Sequence, residues 1–359
     1  MENLALSPSQ WRGRRVLITG HTGFKGAWLS LWLEQLGARV TGFALPPPTH
    51  PSLFELAKLA ACITHIEGDV GDPAALRHAF RVAEPELVLH LAAQSLVRPS
   101  YRDPVETYRT NILGTVNVLE QCRSSPSVHG VLVVTSDKCY ENHGTDSPYR
   151  ETDALGGRDP YSSSKACAEL VVAAYRSSFF ATSATPVLAT ARAGNVIGGG
   201  DFAADRLIPD TVRAVVGRER LVIRNPRAVR PWQHVLEPLG GYLSLAARLV
   251  SGDRQAAEAW NFGPELDDAK PVAWILKRAL SLFGGQETWV EQPDPRLPEA
   301  AMLRLDSSKA RERLRWRPRL RIETALEWTV DWYRAWQGGV DVRASSLEQI
   351  RNYAQLHHE

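Results

Sequence analysis

Cysteine is scarce in this chain of 359 residues, and the few present show no pairing pattern. They are Cys62, Cys122, Cys139 and Cys167, none at CxxC spacing, and each lies in a stretch that reads as strand or helix. Free thiols in a reducing compartment are the simplest interpretation. The first residues, MENLALSPSQWRGRR, lack an apolar signal core, and no run of about 18 apolar residues occurs. We therefore expect a cytoplasmic protein without a membrane span.

An excess of either charge is also missing, because 42 Lys and Arg residues face 40 Asp and Glu residues, a formal net charge of +2. Nothing global therefore argues for nucleic acid or an anionic membrane as a partner. Arginine occurs at every second position from Arg311 to Arg321, a pattern that could form a basic patch for nucleic acid. Because Glu312 interrupts the run and the overall charge is near neutral, we favour a solvated surface loop. No cluster of His, Cys and Asp has metal-ligand spacing, so no metal is expected.

The first half of the chain alternates short apolar runs with helical segments. The predicted strands are Arg15–Gly20, Ala38–Leu45, Cys62–Val70, Glu86–Ala93 and Gly130–Asp137, and the helices between them are Phe24–Leu36, Pro73–Val82 and Val105–Arg123. This order predicts an α/β fold, a Rossmann-type doubly wound parallel sheet with a smaller C-terminal substrate-binding domain. We assign residues 1–194 to the Rossmann domain, with a return segment at about 229–262, and residues 195–228 and 263–345 to the substrate domain.

Later helices are predicted at Arg206–Gly217, Leu239–Val250, Pro271–Phe283 and Ile322–Trp336. In the last of these, Trp328, Trp332 and Trp336 recur every fourth residue, which indicates a buried stripe on an amphipathic helix.

A glycine-rich loop follows the first strand and opens a helix, as Gly20-His-Thr-Gly23-Phe-Lys-Gly26. Glycines let the backbone approach a pyrophosphate, and the helix N-terminus offers free N–H groups. A purely structural glycine turn is the weaker interpretation, since the strand–turn–helix context is the one a dinucleotide needs. The second strand ends at Phe43–Pro46 without the acid that usually binds the adenine ribose, and without an Arg for a 2′-phosphate.

Two polar clusters are candidates for chemistry. Tyr161 and Lys165 are four residues apart at the start of a predicted helix, so both side chains lie on one helical face and can reach the same pocket. A charged lysine nearby would lower the pKa of the tyrosine. A phenolate can then take a proton from a substrate hydroxyl. Ser136, Asp137 and Lys138 follow an apolar strand at its carboxyl end. Capping of a turn by Ser136 and Asp137 is the alternative interpretation.

These motifs resemble the extended short-chain dehydrogenase/reductase superfamily, and within it the NAD-dependent sugar-nucleotide 4,6-dehydratases. The Ser136-Asp137-Lys138 sequence is similar to the form found in those acting on CDP-glucose, whereas the dTDP-glucose enzymes carry Asp-Glu. Further similar stretches are HLAAQSLVRPSY (90–101), TNILGT (110–115), ARAGNVIGGGDF (191–202), RPWQHV (230–235) and NFGP (261–264). The family usually shows HEAxxL where this chain has Pro298-Glu299-Ala300-Ala301-Met302-Leu303.

The resemblance implies roles for individual residues. Ser136 would hold the sugar O4, Asp137 would protonate the departing C6 hydroxyl, and Lys138 would take the C5 proton, beside Tyr161 and Lys165. NAD would be bound by Gly20, Thr22, Gly23, Phe24, Lys25, Gly26, Asp69, Val70, Ala92, Ala93, Gln94, Asn111, Tyr161 and Lys165. Ser95, Asn195 and Arg230 would bind the nucleoside-diphosphate hexose, with CDP-glucose favoured, in deoxysugar biosynthesis.

A homodimer is also implied, because relatives pair the helices near Val105–Arg123 and Ser162–Ser178 across a two-fold axis. Three alternatives remain open: a dehydratase for dTDP- or GDP-hexoses, a sugar-nucleotide 4-epimerase, and a non-catalytic NAD-sensing protein. The epimerase has no use for Asp137 and Lys138, and sensing proteins often lose the tyrosine or the lysine.

Overall fold

The computed structural model describes residues 6–285, 289–293 and 302–356. The strands are β1 Arg15–Thr19, β2 Arg39–Ala44, β3 Thr64–Glu67, β4 Leu87–His90, β5 Gly130–Val134, β6 Val187–Ala193, β7 Val196–Ile197, β8 Val222–Ile223, β9 Val229–Pro231, β10 Gln233–His234, β11 Ala259–Phe262, β12 Ala269–Pro271 and β13 Val290–Glu291. The helices are α1 Pro8–Trp11, α2 Phe24–Gln35, α3 Leu53–Leu56, α4 Pro73–Ala83, α5 Val97–Arg102, α6 Pro104–Tyr108, α7 Gly114–Ser124, α8 Pro160–Ser178, α9 Leu207–Gly217, α10 Leu236–Val250, α11 Val272–Phe283, α12 Ser308–Arg313, α13 Ile322–Gln337 and α14 Val342–Gln355. Of the stretch that departs from HEAxxL, Pro298–Ala301 lie outside the described residues.

Seven parallel strands form the central sheet in the order β11-β6-β5-β4-β1-β2-β3. Its strands are apolar because two separate hydrophobic clusters cover its two faces. All seven carboxyl ends lie along one edge, where ligands bind in such sheets. The predicted Rossmann-type α/β fold is confirmed, and the sheet is wider than the five predicted strands because β6 pairs with β5 and β11 pairs with β6.

The helix predicted from Val105 to Arg123 is confirmed, but its pitch changes in the middle. The structure divides it into α6, a π-helical turn at Arg109–Leu113, and α7. Within that turn the Asn111 amide accepts from the Gln94 backbone N–H at 2.9 Å and donates to the Gln94 carbonyl at 2.9 Å. The π turn, a form common at functional sites, therefore carries a side chain that clamps the loop after β4.

The second half of the chain adds three small two-stranded pairings, β7 with β10, β9 with β12 and β8 with β13. Helix α14, which periodicity did not reveal, packs against α2 and α13, where its Tyr353 ring contacts the fully buried Trp32 of α2. The predicted tryptophan stripe is confirmed: Trp332 is buried, and Trp328 and Trp336 pack against the same core. In the part of the chain that the structure describes, no helix has the length and apolar character needed to cross a membrane.

The arginine-rich stretch is an ordered set of ion pairs rather than the predicted solvated loop. Arg311 and Arg313 belong to α12 and bind Glu265 at 3.0 Å and Glu258 at 2.9 Å. A third arginine of the stretch, Arg321, is 3.1 Å from the carboxylate of Asp268. Each pairs with an acid far away in sequence, so this segment fastens the C-terminal helices to the rest of the fold.

Candidate active site

A cavity of about 1320 Å³ follows the carboxyl ends of the sheet strands. This exceeds the usual small-molecule pocket of roughly 300–1,000 Å³ and suits two ligands side by side. Every residue predicted for catalysis, cofactor binding or substrate binding lines this cavity, with the exception of Asn111. Asn111 is buried behind the wall and acts through its clamp on Gln94.

The glycine loop is packed too closely for side chains. A Cβ on Gly20, which has φ +78°, would lie 2.6 Å from the Ala92 nitrogen, and one on Gly26 would lie 2.1 Å from the Gly20 oxygen. Helix α2 then begins at Phe24 with Gly23 as its N-cap, which offers no side chain to its first N–H groups. The loop therefore presents bare backbone to the cavity, as an anionic diphosphate requires.

Lys25 of this loop is buried, with its ammonium 5.9 Å from the centre of the Tyr242 ring. Burial, helped by the nearby Arg206, lowers the pKa of Lys25 to about 7. The lysine side chain thus places a titratable amine in the wall, beside the polar cluster of Asp137 and Lys165.

The cavity wall beyond the loop has no free acid at the end of β2. Thr22 donates to the Leu45 carbonyl at 2.9 Å, which ties the loop to that strand end. Asp69, after β3, is the nearby carboxylate, but Arg109 binds it at 2.7 Å. Burial opposes ionisation of Asp69, yet hydrogen bonds from the Gly71 N–H and Arg109 lower its pKa.

At the end of β4, Ala92 and Ala93 reach the cavity directly, whereas His90 lies in the core as its apolar strand predicts. The His90 ring is 2.7 Å from the Thr19 hydroxyl and 3.1 Å from that of Thr115. Burial lowers the pKa of His90 to about 3, so the ring is a neutral structural link.

Ser136, Asp137 and Lys138 form a tight turn directly after β5. The Ser136 hydroxyl donates to Asp137 Oδ1 at 3.1 Å and accepts from the Lys138 N–H at 3.2 Å. Asp137 is 3 % exposed, and its Oδ2 has no hydrogen-bond partner among the described residues. Burial raises the pKa of Asp137 against the opposing effect of Lys138, Ser136 and Arg230. The Asp137 carboxyl is thereby biased toward the protonated form.

Tyr161 and Lys165 lie in the first turns of α8, where Asp159 caps the helix by accepting from the Ser162 N–H at 2.9 Å. Burial lowers the pKa of Lys165 to about 8, although Glu169 one turn further on opposes this. The sequence predicted that Lys165 lowers the pKa of Tyr161, and for the protein without bound ligands this prediction is wrong. Burial raises the pKa of Tyr161 to about 12, and the main opposing effect is a hydrogen bond with Ser136.

The side of the cavity that contains the predicted substrate-binding residues has more arginine side chains than the sequence motifs indicated. The predicted Arg230 lies on β9 and acts electrostatically on Asp137. Arg206 was missed; it binds Asp201 at 3.2 Å and the predicted Ser95 at 3.3 Å. Nothing local in the sequence singles out Arg206, because only the fold brings its helix opposite the loop after β4.

A second set of missed residues lines the cavity. The carboxylate of Asp205 lies 3.3 Å from Arg98 of α5 and 3.1 Å from Arg224, which follows β8. Together with Arg206 and Arg230 these residues make this half of the cavity rich in guanidinium groups, which suit phosphates. Among the described residues, no three His, Cys, Asp or Glu side chains are grouped so as to hold a metal ion.

Comparison with known proteins agrees with this geometry. The sequence model of the GDP-mannose 4,6 dehydratase family matches residues 17–262. The chain is 47% identical to a CDP-glucose 4,6-dehydratase from Salmonella typhimurium, over 96% of this chain and 97% of that protein. It is 28% identical to a dTDP-glucose 4,6-dehydratase from Xanthomonas campestris, over 93% and 98% of the two chains.

The fold also matches the crystal structure of DesIV, a dTDP-glucose 4,6-dehydratase from Streptomyces venezuelae with NAD and TYD bound. The TM-score is 0.78 at 24% identity, over 92% of this chain and 99% of that one. With the family match and the close relative of nearly equal length, these comparisons show that the chain belongs to the sugar-nucleotide 4,6-dehydratase family.

Proposed function

We propose that this protein is an NAD-dependent CDP-glucose 4,6-dehydratase, which converts CDP-D-glucose to CDP-4-dehydro-6-deoxy-D-glucose in deoxysugar biosynthesis. The observation that carries this proposal is that Asp137 and Lys138 open onto the same cavity as Tyr161 and Lys165. A 4-epimerase uses only the second pair. The Asp-Lys sequence and the 47% identical relative both favour CDP-glucose over dTDP- or GDP-hexoses.

Oxidation at C4 uses residues from α8 and from the turn after β5. Tyr161 removes the proton from the C4 hydroxyl, and Ser136 holds the O4 atom between the phenol and Asp137. Lys165 in its charged form favours the phenolate. Because burial, the largest cause, raises the pKa of Tyr161 to about 12, this electrostatic help is needed for the tyrosine to act as a base near neutral pH.

Elimination of water needs an acid and a base on the C5–C6 side. Asp137, whose pKa burial raises, delivers a proton to the departing C6 hydroxyl, since hydroxide is a poor leaving group. Lys138 is half-buried at the cavity wall and is the candidate for taking the C5 proton and returning it. An acid and a base on adjacent residues can thus serve adjacent carbon atoms.

The residues present fit NAD at the glycine loop. Gly20 and Gly26 lie where any Cβ would clash, and the N-terminus of α2 faces the cavity, as a diphosphate requires. NAD, when bound, supplies the hydride acceptor for C4 and the hydride donor for C6. The end of β2 has neither a carboxylate for the ribose nor an Arg for a 2′-phosphate, and Arg109 occupies Asp69. We therefore infer that NAD is bound weakly and is preferred over NADP.

The substrate is held from the other side of the cavity. We assign its diphosphate to Arg230 and Asn195, with Arg206 as a further cation and Ser95 nearby. The substrate domain comprises residues 195–228 and 263–345, and residues 1–194 with the return segment 229–262 form the NAD-binding domain. This division is supported by β11, which returns to the central sheet after the β8 and β9 excursions.

We further propose a cytoplasmic homodimer. Three apolar side chains are unusually exposed along the helices that relatives pair: Val105 at 76%, Leu113 at 56% and Leu170 at 58%. Burial of these side chains against a second copy would remove apolar surface from water. All four cysteines are free thiols, which suits a reducing compartment.

Incubation with CDP-, dTDP- and GDP-hexoses in the presence of NAD tests the proposal. We expect the enone absorbance of a 4-keto product in alkali, with loss of water seen by mass spectrometry, fastest with CDP-glucose. A C4 epimer without loss of water would establish the epimerase instead. A lack of turnover with bound NAD would favour the sensing protein.

A further inference from the structure

Glu169 is a buried carboxylate that the proposed mechanism does not use. It lies one turn beyond Lys165 on α8 and is 3% exposed. The Thr135 hydroxyl donates to its Oε1 atom, while the Thr190 hydroxyl at 2.8 Å and the Arg192 guanidinium at 2.9 Å donate to its Oε2 atom. Each partner is a donor, so both oxygens serve as acceptors, as in an ionised carboxylate. These contacts favour a negative charge inside the fold.

Lys165 and Glu169 hold consecutive residues at the end of β5. The Lys165 ammonium donates to the carbonyl of Val134 at 3.4 Å, and Glu169 accepts from the hydroxyl of the next residue, Thr135. Ser136 follows directly and begins the turn that carries the proposed acid and base of the dehydration. Glu169 therefore fixes the active-site end of α8 against the segment that leads into this turn.

Lys165 has to keep its positive charge although it is buried. Burial lowers the pKa of Lys165 to about 8, and the largest opposing influence is Glu169. A carboxylate one helical turn away favours the ammonium form over the neutral amine. Among the described residues, the titratable and charged groups around these two side chains are Lys25 of α2, His90 of β4, Asp137 and Cys139 of the turn after β5, Tyr161 and Arg176 of α8, and Arg192 of β6.

The other members of this set do not replace Glu169 as a counter-charge. Burial lowers the pKa of His90 to about 3 and raises the pKa of the Cys139 thiol, so both side chains are neutral near pH 7. Burial also raises the pKa of Asp137, which biases it toward the neutral acid. The basic side chains of the set oppose a further positive charge. Without the charge of Glu169, Lys165 would therefore lie among cations and neutral groups.

We propose that Glu169 is a positioning residue for oxidation at C4, which fixes α8 to β5 and β6 and supplies the negative charge that keeps Lys165 an ammonium ion. Along the helix axis Glu169 is about 6 Å from Lys165 but about 12 Å from Tyr161. When the tyrosine–lysine pair has lost one proton, the productive form is phenolate with ammonium and the unproductive form is phenol with neutral amine. Glu169 stabilises the nearer ammonium more than it destabilises the phenolate, so it favours the productive form.

The inference rests on the proposed function, and Glu169→Gln tests it through the pH dependence of C4 oxidation, followed as nicotinamide absorbance in single turnovers. The amide keeps the size of the side chain and an oxygen acceptor but has no charge. We expect the maximum rate to fall by on the order of 10-fold and the acid limb of the profile to move to lower pH by about one pH unit, because Lys165 then loses its proton more easily. Glu169→Asp, which keeps the charge, should retain the acid limb of the wild type.

Two further variants separate the effect of charge from loss of stability. Glu169→Gln combined with Arg192→Gln leaves no unpaired guanidinium in the core, and its acid limb should move in the same direction. Glu237→Gln is the matched control, because Glu237 is also fully buried and accepts from the Arg319 N–H and the Tyr353 hydroxyl at 2.9 Å each. An unmoved acid limb in the Glu169 variants, or an equal displacement in Glu237→Gln, would overturn the inference. A wild type that oxidises no sugar nucleotide would instead refute the proposed function.

Discussion

The Asp137→Asn variant separates oxidation from dehydration. The amide matches the carboxyl in shape, and it still allows the Ser136 hydroxyl to donate to its side-chain oxygen as it does at 3.1 Å in the wild type. Tyr161 and Lys165 are unchanged, so C4 oxidation should continue. An amide cannot release a proton to the C6 hydroxyl, so the reaction should stop at the 4-keto glucose, with the cofactor reduced.

The expected size of the effect follows from the role of Asp137 as a general acid. Such a group contributes roughly 10²–10⁴-fold to a rate, which corresponds to about 3–5 kcal/mol at about 1.36 kcal/mol per tenfold change. We expect the contribution of Asp137 to lie near the upper end of this range, because burial raises its pKa and so favours the protonated form that can donate.

The assay follows nicotinamide absorbance in a single turnover, with product identified by mass spectrometry. Accumulation of reduced nicotinamide without loss of water supports the assignment. Dehydration at the wild-type rate would refute it and point to Lys138 or a bound water as the proton donor. Loss of both steps together would leave Asp137 as a positioning residue and reopen the epimerase interpretation.

Thermal unfolding of the same variant checks the burial argument without catalysis. Burial raises the pKa of Asp137 above its ordinary value of 3.8, so the folded state keeps this proton to a higher pH than the unfolded state does. The wild type therefore loses stability as the pH rises between the two pKa values and remains penalised above them. Asp137→Asn should raise the Tm at neutral pH, with a difference that disappears in acid. A difference independent of pH would contradict the shift.

Four further predictions concern the rest of the site and the assembly. Tyr161→Phe should keep the fold and NAD binding but lose C4 oxidation by about 10²-fold or more, and a wild-type rate would misplace the active site. Purified protein should gain activity when NAD is added, and a preference for NADP in titrations would contradict the inference from the end of β2. Gly194→Ala places a Cβ 2.9 Å from Asp137 Oδ2 and should lower kcat, whereas the control Gly285→Ala, with no atom nearer than 3.7 Å, should not. Light scattering at micromolar concentration should give a dimer that Leu170→Glu dissociates, and a monomeric wild type would refute the pairing.

The elements that sequence predicted best were those whose signal is local. The strands from β1 to β5 are apolar runs because both faces of a parallel sheet are covered, and the glycine loop is recognisable because it directly follows β1. Strand β6 was missed because its sequence, VLATARA, carries Thr190 and Arg192 in its interior. Those polar side chains are buried there only because Glu169 of α8 binds both of them.

The sequence predicted which residues form the site, but not how burial and neighbouring groups shift their pKa values or which of them reach the cavity. Sequence spacing placed Lys165 beside Tyr161 and predicted a lowered tyrosine pKa, but burial, which spacing does not reveal, dominates and raises the pKa of Tyr161 to about 12. In the same way Asn111 was grouped with residues that touch the cofactor, whereas it holds the Gln94 backbone from behind the wall. Both differences arise from contacts between residues distant in sequence.

Two buried carboxyl groups near the end of β5 show how the fold assigns different roles to similar groups. Burial alone would raise the pKa of Glu169, but hydrogen bonds from Arg192, Thr135 and Thr190 outweigh it and lower the pKa. Asp137 has one unpartnered oxygen, and burial raises its pKa. Glu169 is therefore biased toward the ionised form and anchors α8 to the sheet, while Asp137 is biased toward the protonated form that can donate. Carboxyl groups whose surroundings push their pKa values apart in this way indicate which one performs acid catalysis, and the difference found here agrees with the role that the motif after β5 implied for Asp137.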